Sequence, residues 1–261
     1  MSIKKKLLFR RQKNPFFSVI TVVKNDEKHI LKTISSISKQ SFKNFEYIIV
    51  DGLSKDNTVN KILLKKKNIN WLVSKKDNGI YYAKNRGISL AKGKIIVFVN
   101  SGDILTKNAL KIVSKKFKKI KNLDFVFGTV KRYYTTQTIL KHTYSPKRIL
   151  YNFDFATAHS TGFFIKKNKL LDIGKFNTKY KISADYDIYY KAIVTNKLKG
   201  DSTGKNNLVG IVSAGGHSSK FTFFEHLVEE TKIRLNNNQN IIFISIICVN
   251  AILKFFLKKL I

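Results

Sequence analysis

Four carboxylates occupy positions from which a protein of strands and helices could bind a ligand. Asp51, Asp77 and Asp103 lie at or just after predicted strands, and Asp185 begins a later predicted helix, in a chain with only 16 acidic residues. Carboxylate oxygens suit a Mg²⁺ ion that bridges phosphates, and they also accept hydrogen bonds from a ribose or a base. Any one of these aspartates could instead form a turn or cap a helix. The four together predict a binding site, although their spacing does not name a reaction.

Alternating strands and helices must position these acids. Apolar runs predict strands at residues 16–23, 45–52, 68–74, 94–103 and 159–167, and a strand and turn at 123–134. Helical spacing predicts helices at residues 27–38, 59–65, 80–93, 109–119 and 184–194. Strands that alternate with such helices form βαβ units around a parallel sheet. Ligands bind at the carboxyl ends of parallel strands, so we expect the site at that edge.

The composition limits the class of protein. The single cysteine, Cys248, excludes an internal disulfide framework and fits a reducing compartment. Only three apolar residues follow the basic start before charge returns, so the pattern of a signal peptide is not predicted. No stretch reaches the roughly 18 apolar residues of a spanning helix. We therefore expect the protein to act in the cytoplasm.

The net charge of +34 raises the question of an anionic partner. Only six of the 50 basic residues are arginine, the side chain that nucleic-acid recognition favours, so no nucleic acid is expected. The lysines either form a solvated surface or attract an anionic membrane, and the sequence leaves both open. Residues 240–261 predict an amphipathic helix that is docked on the domain or lies on a membrane.

Five segments resemble, in order, the motifs of glycosyltransferase family 2. They are SVITVVKND (18–26), TISSISKQSFKNFEYIIVDGLSKDNT (33–58), DNGIYYAKNRGISLAKG (77–93), VNSGD (99–103) and KISADYDIYYKA (181–192). The resemblance implies the GT-A fold, an α/β fold with one Rossmann-like domain and a mainly parallel central sheet flanked by helices. We expect a basic tail (1–15), this domain (16–225, with a nucleotide-binding half 16–103 and an acceptor half 104–225) and a C-terminal helical tail (226–261).

The resemblance also implies an inverting transfer from a nucleotide-sugar donor. Asp103 would ligate Mg²⁺ or Mn²⁺, and Asp185 would be the general base that deprotonates the acceptor hydroxyl. Thr21 and Val23 would line the nucleotide pocket. The remaining expected donor contacts are Asp51, Asp77, Asn85, Asn100, Ser101, Gly102, Gly215 and Gly216.

Two departures from the family pattern affect these roles. Asn100 and Gly102 stand where many members have acids, so the resemblance implies a weakened hold on the metal. Ala184 replaces a glutamate before the base, which leaves Asp185 with Asp187 as a competitor. Successive residues of a helix point about 100° apart, so only one of the two faces the site. We favour Asp185 and interpret Asp187 as a solvated or capping acid.

Two histidines have roles that the sequence leaves open. His159 resembles a residue near the acceptor, and His217, after the Gly215–Gly216 pair, could complete the metal shell. Each could equally be an ordinary histidine of the surface or the edge of the core. The segment 135–158, within the acceptor half, has little periodicity, and a loop of this length inside a compact domain is typically functional.

The resemblance implies partners and a setting as well. The donor would be a UDP- or GDP-sugar, and the acceptor a glycan or a lipid-linked acceptor. Within the family, the chain resembles the subgroup of glycosyltransferases of polysaccharide and colanic-acid-type synthesis. The resemblance implies that the protein acts peripherally on the inner face of the plasma membrane. The alternatives are a basic nucleic-acid-binding protein and a sugar-nucleotidyltransferase, which needs a glycine-rich phosphate loop that VVKNDEKH (22–29) lacks.

Overall fold

The structure is a computed structural model that describes residues 5–9, 12–133, 138–141, 146–151 and 159–260. The strands are β1 (Lys5–Leu8), β2 (Phe17–Val23), β3 (Phe45–Asp51), β4 (Trp71–Ser74), β5 (Ile95–Phe98), β6 (Ile104–Leu105), β7 (Phe125–Phe127), β8 (Thr129–Tyr133), β9 (Thr138–Lys141), β10 (Phe163–Lys166), β11 (Gly200–Ser202) and β12 (Leu208–Val212). The helices are α1 (Ile30–Ser38), α2 (Thr58–Leu64), α3 (Ile80–Leu90), α4 (Ala109–Lys119), α5 (Pro146–Tyr151), α6 (Lys167–Asp172), α7 (Ala184–Tyr190), α8 (Phe223–Asn236) and α9 (Ile241–Leu260).

Eight strands form the main sheet, in the order β1-β4-β3-β2-β5-β10-β7-β11. The four neighbours β4, β3, β2 and β5 are parallel, so their carboxyl ends meet at one edge. Strand β10 runs antiparallel between β5 and β7. The predicted α/β fold, with a large central sheet flanked by helices, is confirmed.

The sheet is buried on both faces, as its continuous apolar strands predict. Strand β2 is buried along its whole length. Helix α1 packs Ile30, Ile34 and Ile37 into the core cluster on one face, and α3 packs Tyr81 and Ile88 into the cluster on the other. Because residues three, four and seven apart share one side of a helix, each helix covers the sheet with a single apolar face.

Two predicted strands differ from the structure. The strand predicted at 94–103 ends at Phe98, and the residues that follow form a turn. The segment 123–134 divides at Gly128 into β7 of the main sheet and β8 of a smaller sheet, ordered β6-β12-β8-β9. A Cβ on Gly128 would lie 2.1 Å from Cγ2 of Val209, so glycine lets β12 approach at the point where the chain changes sheets.

The N-terminal segment is more ordered than the expected basic tail. Residues 5–8 form β1, which pairs antiparallel with β4 at the edge of the main sheet. Backbone pairing depends little on side-chain identity, so charge patterning did not predict it. Within the predicted loop 135–158, the structure contains β9 and α5, and residues 135–137, 142–145 and 152–158 lie outside the described part.

The predicted C-terminal helix is present as α9, and it packs against α8. Phe255 of α9 stacks on Phe223 of α8, with ring centroids 4.3 Å apart. Among the described residues, no helix has the length and apolar character needed to cross a membrane.

Candidate active site

The carboxyl edge of the parallel strands gathers the predicted acids. Asp51 is the last residue of β3, Asp77 follows the end of β4, and Asp103 closes the turn after β5. These strands are neighbours in the sheet, so residues far apart in sequence lie along one edge.

The carboxylate of Asp51 is buried and satisfied by serines. Oγ of Ser74 donates to its Oδ2 at 2.6 Å, and the backbone N–H of Ser54 donates to the same atom at 3.1 Å. The hydroxyl of Ser54 donates to Oδ1. These bonds fix the loop after β3, so Asp51 shapes this edge of the site.

One carboxylate oxygen of Asp77, Oδ2, is able to accept a hydrogen bond from a ligand. Its Oδ1 accepts from the N–H of Gly79 at 3.3 Å, whereas Oδ2 is buried without a hydrogen-bond partner among the described residues. Burial raises the pKa of Asp77 above its usual value, although the charge of Arg86, 3.9 Å from Oδ2, opposes this. A buried acceptor without a donor is costly, and a ribose or base donor would satisfy it.

Two residues predicted to contact the donor have other partners. The side chain of Thr21 is fully buried and lies 3.0 Å from the hydroxyl of Tyr47, so it does not line an open pocket. Val23, two residues on, is buried at the end of β2. The side-chain amide of Asn85 exchanges hydrogen bonds of 2.8 and 3.0 Å with the backbone of Phe176. Asn85 therefore joins α3 to a distant loop.

The turn at 99–103 is held by one threonine of α1. Gly102 has a φ of +91°, a conformation that L side chains rarely adopt. Oγ1 of Thr33 accepts from the N–H of Gly102 at 2.9 Å and donates to the carbonyl of Asp103 at 2.8 Å. The side chain of Asp103 is thereby aimed back into the protein.

Both oxygens of Asp103 accept hydrogen bonds from residues remote in sequence. The hydroxyl of Thr161 donates to Oδ2 at 2.6 Å, and the N–H of Ser213 donates to Oδ1 at 3.0 Å. Burial raises the pKa of Asp103 to about 6, while these hydrogen bonds and the charge of Arg132 oppose the shift. The carboxylate is therefore mostly ionised at neutral pH and loses its charge in mild acid.

The surroundings of Asp103 fit a divalent cation. Oδ1 of Asn100 and Oγ of Ser101 are buried and have no hydrogen-bond partner among the described residues. With Asp103 they make a set of hard oxygen donors of the kind Mg²⁺ and Mn²⁺ prefer. Across the described residues, no group of three or more histidines, cysteines and acids could hold a metal by itself. Oxygens from a bound diphosphate would have to complete the shell.

The two histidines differ in environment. Nδ1 of His159 accepts from the N–H of Thr161 at 3.2 Å and lies 4.0 Å from Oδ2 of Asp103. Burial lowers the pKa of His159 to about 3, so the ring is neutral and carries its proton on Nε2. His217 is exposed, and its Nε2 donates to the carbonyl of Lys181 at 3.0 Å, leaving Nδ1 as an acceptor. Its neighbours Gly215 and Gly216 are exposed and have open space around them.

Asp185, at the start of α7, is paired with a buried lysine of α3. Nζ of Lys84 donates to both carboxylate oxygens, at 2.7 and 2.9 Å. The lysine is 1% exposed, and its Nζ lies 4.9–5.4 Å from the ring centroids of Tyr81, Phe98 and Phe176. The ion pair fixes the position of the Asp185 carboxylate at the start of α7.

Asp187 is neither solvated nor a cap, contrary to the interpretation from the sequence. Its side chain is 0% exposed, against 29% for Asp185. Nζ of Lys191 donates to one oxygen at 2.7 Å, and the amide of Asn237 donates to the other at 3.0 Å. The helical rotation between the two aspartates turns Asp187 to lie beside Lys191, one turn further along the same helix, and Asn237, just after the end of α8.

A small cavity lies between the helix that carries Asp185 and the residues that contact the 99–103 turn. Asp185 and Ser160 both line it, together with apolar side chains that include Phe98, Phe176 and Tyr189. Ser160 in turn accepts from the side-chain amide of Asn100 at 3.2 Å. Ser160 therefore links the cavity that Asp185 lines to the 99–103 turn.

The sequence did not assign several residues that hold this site. Thr33, Thr161 and Ser213 fix Asp103, and Lys84 was considered only as a weak candidate for the donor phosphates. Hydroxyl residues are frequent throughout the chain, so no signal distinguished these. The one available clue for Lys84 was its position between apolar residues of α3, on the face turned to the core.

Fold and site together define a class of protein. The parallel sheet has acids at its carboxyl edge, and a smaller sheet lies beside it at the 99–103 turn. This is the architecture of GT-A glycosyltransferases. The family model for glycosyl transferase family 2 matches residues 18–182. The chain belongs to this family, as its motifs predicted.

Solved structures agree with this assignment. S. aureus TarS 1–349 in complex with UDP-GlcNAc matches with a TM-score of 0.68 and 21% identity, over 86% of this chain and 68% of that chain. The mannosyltransferase PcManGT from Pyrobaculum calidifontis, in complex with GDP-Man and Mn²⁺, matches with a TM-score of 0.64 and 18% identity, over 91% and 69%. At these identities the likeness shows the fold alone.

The matches differ in how much of the relative is covered. The chain spans 66% of another structure of TarS 1–349, with a TM-score of 0.66 and 20% identity, and 40% of the longer TarS structure. A search of curated proteins finds no match.

Proposed function

We propose that the protein transfers a sugar from a nucleoside diphosphate sugar to an acceptor hydroxyl, with inversion at the anomeric carbon. The observation that carries this proposal is that Asp185 lines a cavity with Ser160, which is hydrogen-bonded to Asn100 of the 99–103 turn. An inverting transfer needs a base on one side of the anomeric carbon and stabilisation of the diphosphate on the other. Membership of glycosyltransferase family 2 supports this function over nucleic-acid binding and nucleotidyl transfer.

Asp185 is the general base in this proposal. The acceptor hydroxyl gives its proton to a carboxylate oxygen of Asp185 as its oxygen bonds to the anomeric carbon. The bond from that carbon to the diphosphate breaks, and its electron pair leaves with the nucleoside diphosphate. The exposure of Asp185 supports this choice, since the buried and neutralised Asp187 has no path to an acceptor. A positioned base contributes roughly 10²–10⁴ in rate.

The donor lies along the carboxyl edge of the strands. The unsatisfied Oδ2 of Asp77 accepts a hydrogen bond from the ribose or base, and Asp51 shapes the adjacent loop. Asp103, with Asn100 and Ser101, would hold Mg²⁺ or Mn²⁺, and His217 would complete the metal shell. The exposed loop with Gly215 and Gly216 would lie over the phosphates. When bound, the cation would neutralise charge on the leaving diphosphate.

The acceptor and setting complete the proposal. The acceptor is a glycan or a lipid-linked glycan of cell-surface polysaccharide synthesis, of the kind made by colanic-acid-type enzymes. In this proposal His159, which precedes the cavity residue Ser160, donates a hydrogen bond from Nε2 to the acceptor. The reaction then takes place in the cytoplasm, at the inner face of the plasma membrane. The motif resemblance supports these assignments.

Substitution of the two key aspartates tests the reaction. Asp185→Asn should leave binding of the nucleotide sugar nearly unchanged and lower kcat by at least about 10²-fold, because the amide cannot accept the proton. Asp103→Ala should abolish release of UDP or GDP that depends on Mn²⁺. Nucleotide release, product anomer and donor affinity are measured on each purified variant.

The matched control is Asp187→Asn, two residues along the same helix. Its kcat should fall much less than that of Asp185→Asn once the loss of stability is taken into account. Loss of transfer only in Asp187→Asn would assign the base to Asp187. Turnover without added metal in Asp103→Ala would refute the metal assignment.

A further inference from the structure

Helix α9 carries a second apolar face that nothing in the described structure covers. One face packs on α8 through Ile244 and Ile247, which are buried, and through the stacked Phe255. Helices at the surface of a soluble domain normally present polar residues on the opposite side. On α9 that side instead bears exposed apolar side chains: Ile241, Ile242, Phe243, Ile246, Val249, Leu253, Phe256 and Leu257.

The exposed residues form a continuous surface. Ile242, Ile246, Val249 and Leu253 follow one another at intervals of four, three and four, which places them along one side of the helix. Phe224 and Val228 of α8 are also exposed, at an interval of four. We call the exposed apolar residues of α8 and α9 the apolar surface. An exposed patch of this extent marks an interaction site.

Charge decides which occupant fits this surface. The chain has 50 basic and 16 acidic residues, and α9 contains lysines at 254, 258 and 259 but no acid. Two copies of a chain with a net charge of +34 repel each other, whereas a bilayer with anionic headgroups attracts it. A helix with apolar residues on one side and lysines near its end suits the interface of such a bilayer.

We propose that the apolar surface docks α9 in the plane of an anionic lipid bilayer. The helix lies in the interface, with Ile246 and Leu253 among the acyl chains and lysines at the headgroups. It stays attached to the domain through its opposite face on α8. Docking through the apolar surface does not depend on which reaction the protein catalyses. If the proposed function holds, docking would bring the enzyme to lipid-linked acceptors.

Vesicle sedimentation with a matched pair of variants tests the surface. The full chain is mixed with vesicles of phosphatidylcholine alone, or with about one third phosphatidylglycerol. The helix variant is Ile246→Ser with Leu253→Ser, at side chains that are 60% and 58% exposed. The control variant is Leu64→Ser with Leu171→Ser, two exposed leucines on α2 and α6. All four positions are exposed, so both variants should fold, which their melting temperatures check.

The wild type and the control variant should sediment with anionic vesicles, and the helix variant should partition at least about tenfold more weakly. Binding should fall with added salt and be much weaker to phosphatidylcholine alone. Equal binding of wild type and helix variant would overturn the proposal, because general charge would then explain it. So would a wild type that stays in the supernatant, including one that forms a dimer broken by the helix variant.

Discussion

Asp103 combines two demands that oppose each other. It is nearly buried, which disfavours its charge, yet metal binding requires the charged form. The hydrogen bonds from Thr161 and Ser213 offset only part of the burial, so its pKa stays at about 6. In the protein without metal, this carboxylate is a source of instability rather than of stability.

The stability of metal-free Asp103→Asn relative to the wild type should therefore rise as the pH increases. A folded-state pKa above the unfolded value favours folding at low pH, and this advantage disappears as the pH rises through about 6. The gain in the free energy of unfolding should be larger at pH 8 than at pH 5 by about 1 kcal/mol. Denaturant unfolding of both proteins at the two pH values measures it. A gain that does not change with pH would contradict the raised pKa.

At the scale of elements, α8 supports α7, the helix that carries the proposed base. The carboxylate of Glu229 accepts from three successive backbone N–H groups ahead of α7, at Lys181, Ile182 and Ser183, over 2.5–2.7 Å. Charge-assisted hydrogen bonds of this kind are strong. The turn that leads into α7 and Asp185 is thus held by a helix that also packs against α9.

Glu229→Gln should lower kcat without a matching change in the KM for the donor. The amide retains one acceptor oxygen and turns an NH₂ group towards backbone donors, so the turn and Asp185 shift while the donor edge of the sheet does not. We expect a loss of about tenfold. The matched control is Glu225→Gln on the same helix, where a glutamine can still complete the capping box with Thr222. Equal kinetics for both variants would show that the Glu229 contacts are not needed to position the base.

At the scale of the whole molecule, the proposed donor site spans many elements. Strands β3, β4 and β5, the turn held by α1, and Ser213 after β12 all border it. A ligand that binds such a site only when the chain is folded raises the melting temperature by mass action.

A screen of nucleotide sugars should reveal the donor in this way. At a concentration of about 100 times Kd, the correct donor with Mn²⁺ should raise Tm by roughly 5–10 °C. The rise should be much smaller when Mn²⁺ is omitted, since Asp103 is the one acid of the 99–103 turn. Asp103→Ala serves as the control, because it should lose the metal-dependent part only. Protection of this variant by Mn²⁺ equal to that of the wild type would count against the metal site.

The sequence by itself determined the family, the alternation of strands and helices from β2 to β5, and the acids at the strand ends. These follow from local patterns, because apolar periodicity sets each element and the motifs are continuous in the chain. The same patterns placed α9 correctly. They did not show that 5–8 adds a strand or that 123–134 divides between two sheets, since pairing partners lie elsewhere in the chain.

Only the tertiary structure decided which aspartate is exposed to a ligand and which residues bind each carboxylate. Lys84 and Asp185 are 101 residues apart, and Asp103 meets Thr161 and Ser213 across 58 and 110 residues. Asp187 appeared solvated from its position, yet packing against α8 buries it beside Lys191 and Asn237. Such contacts depend on how segments that are distant in the sequence pack together, and no local sequence pattern encodes that packing.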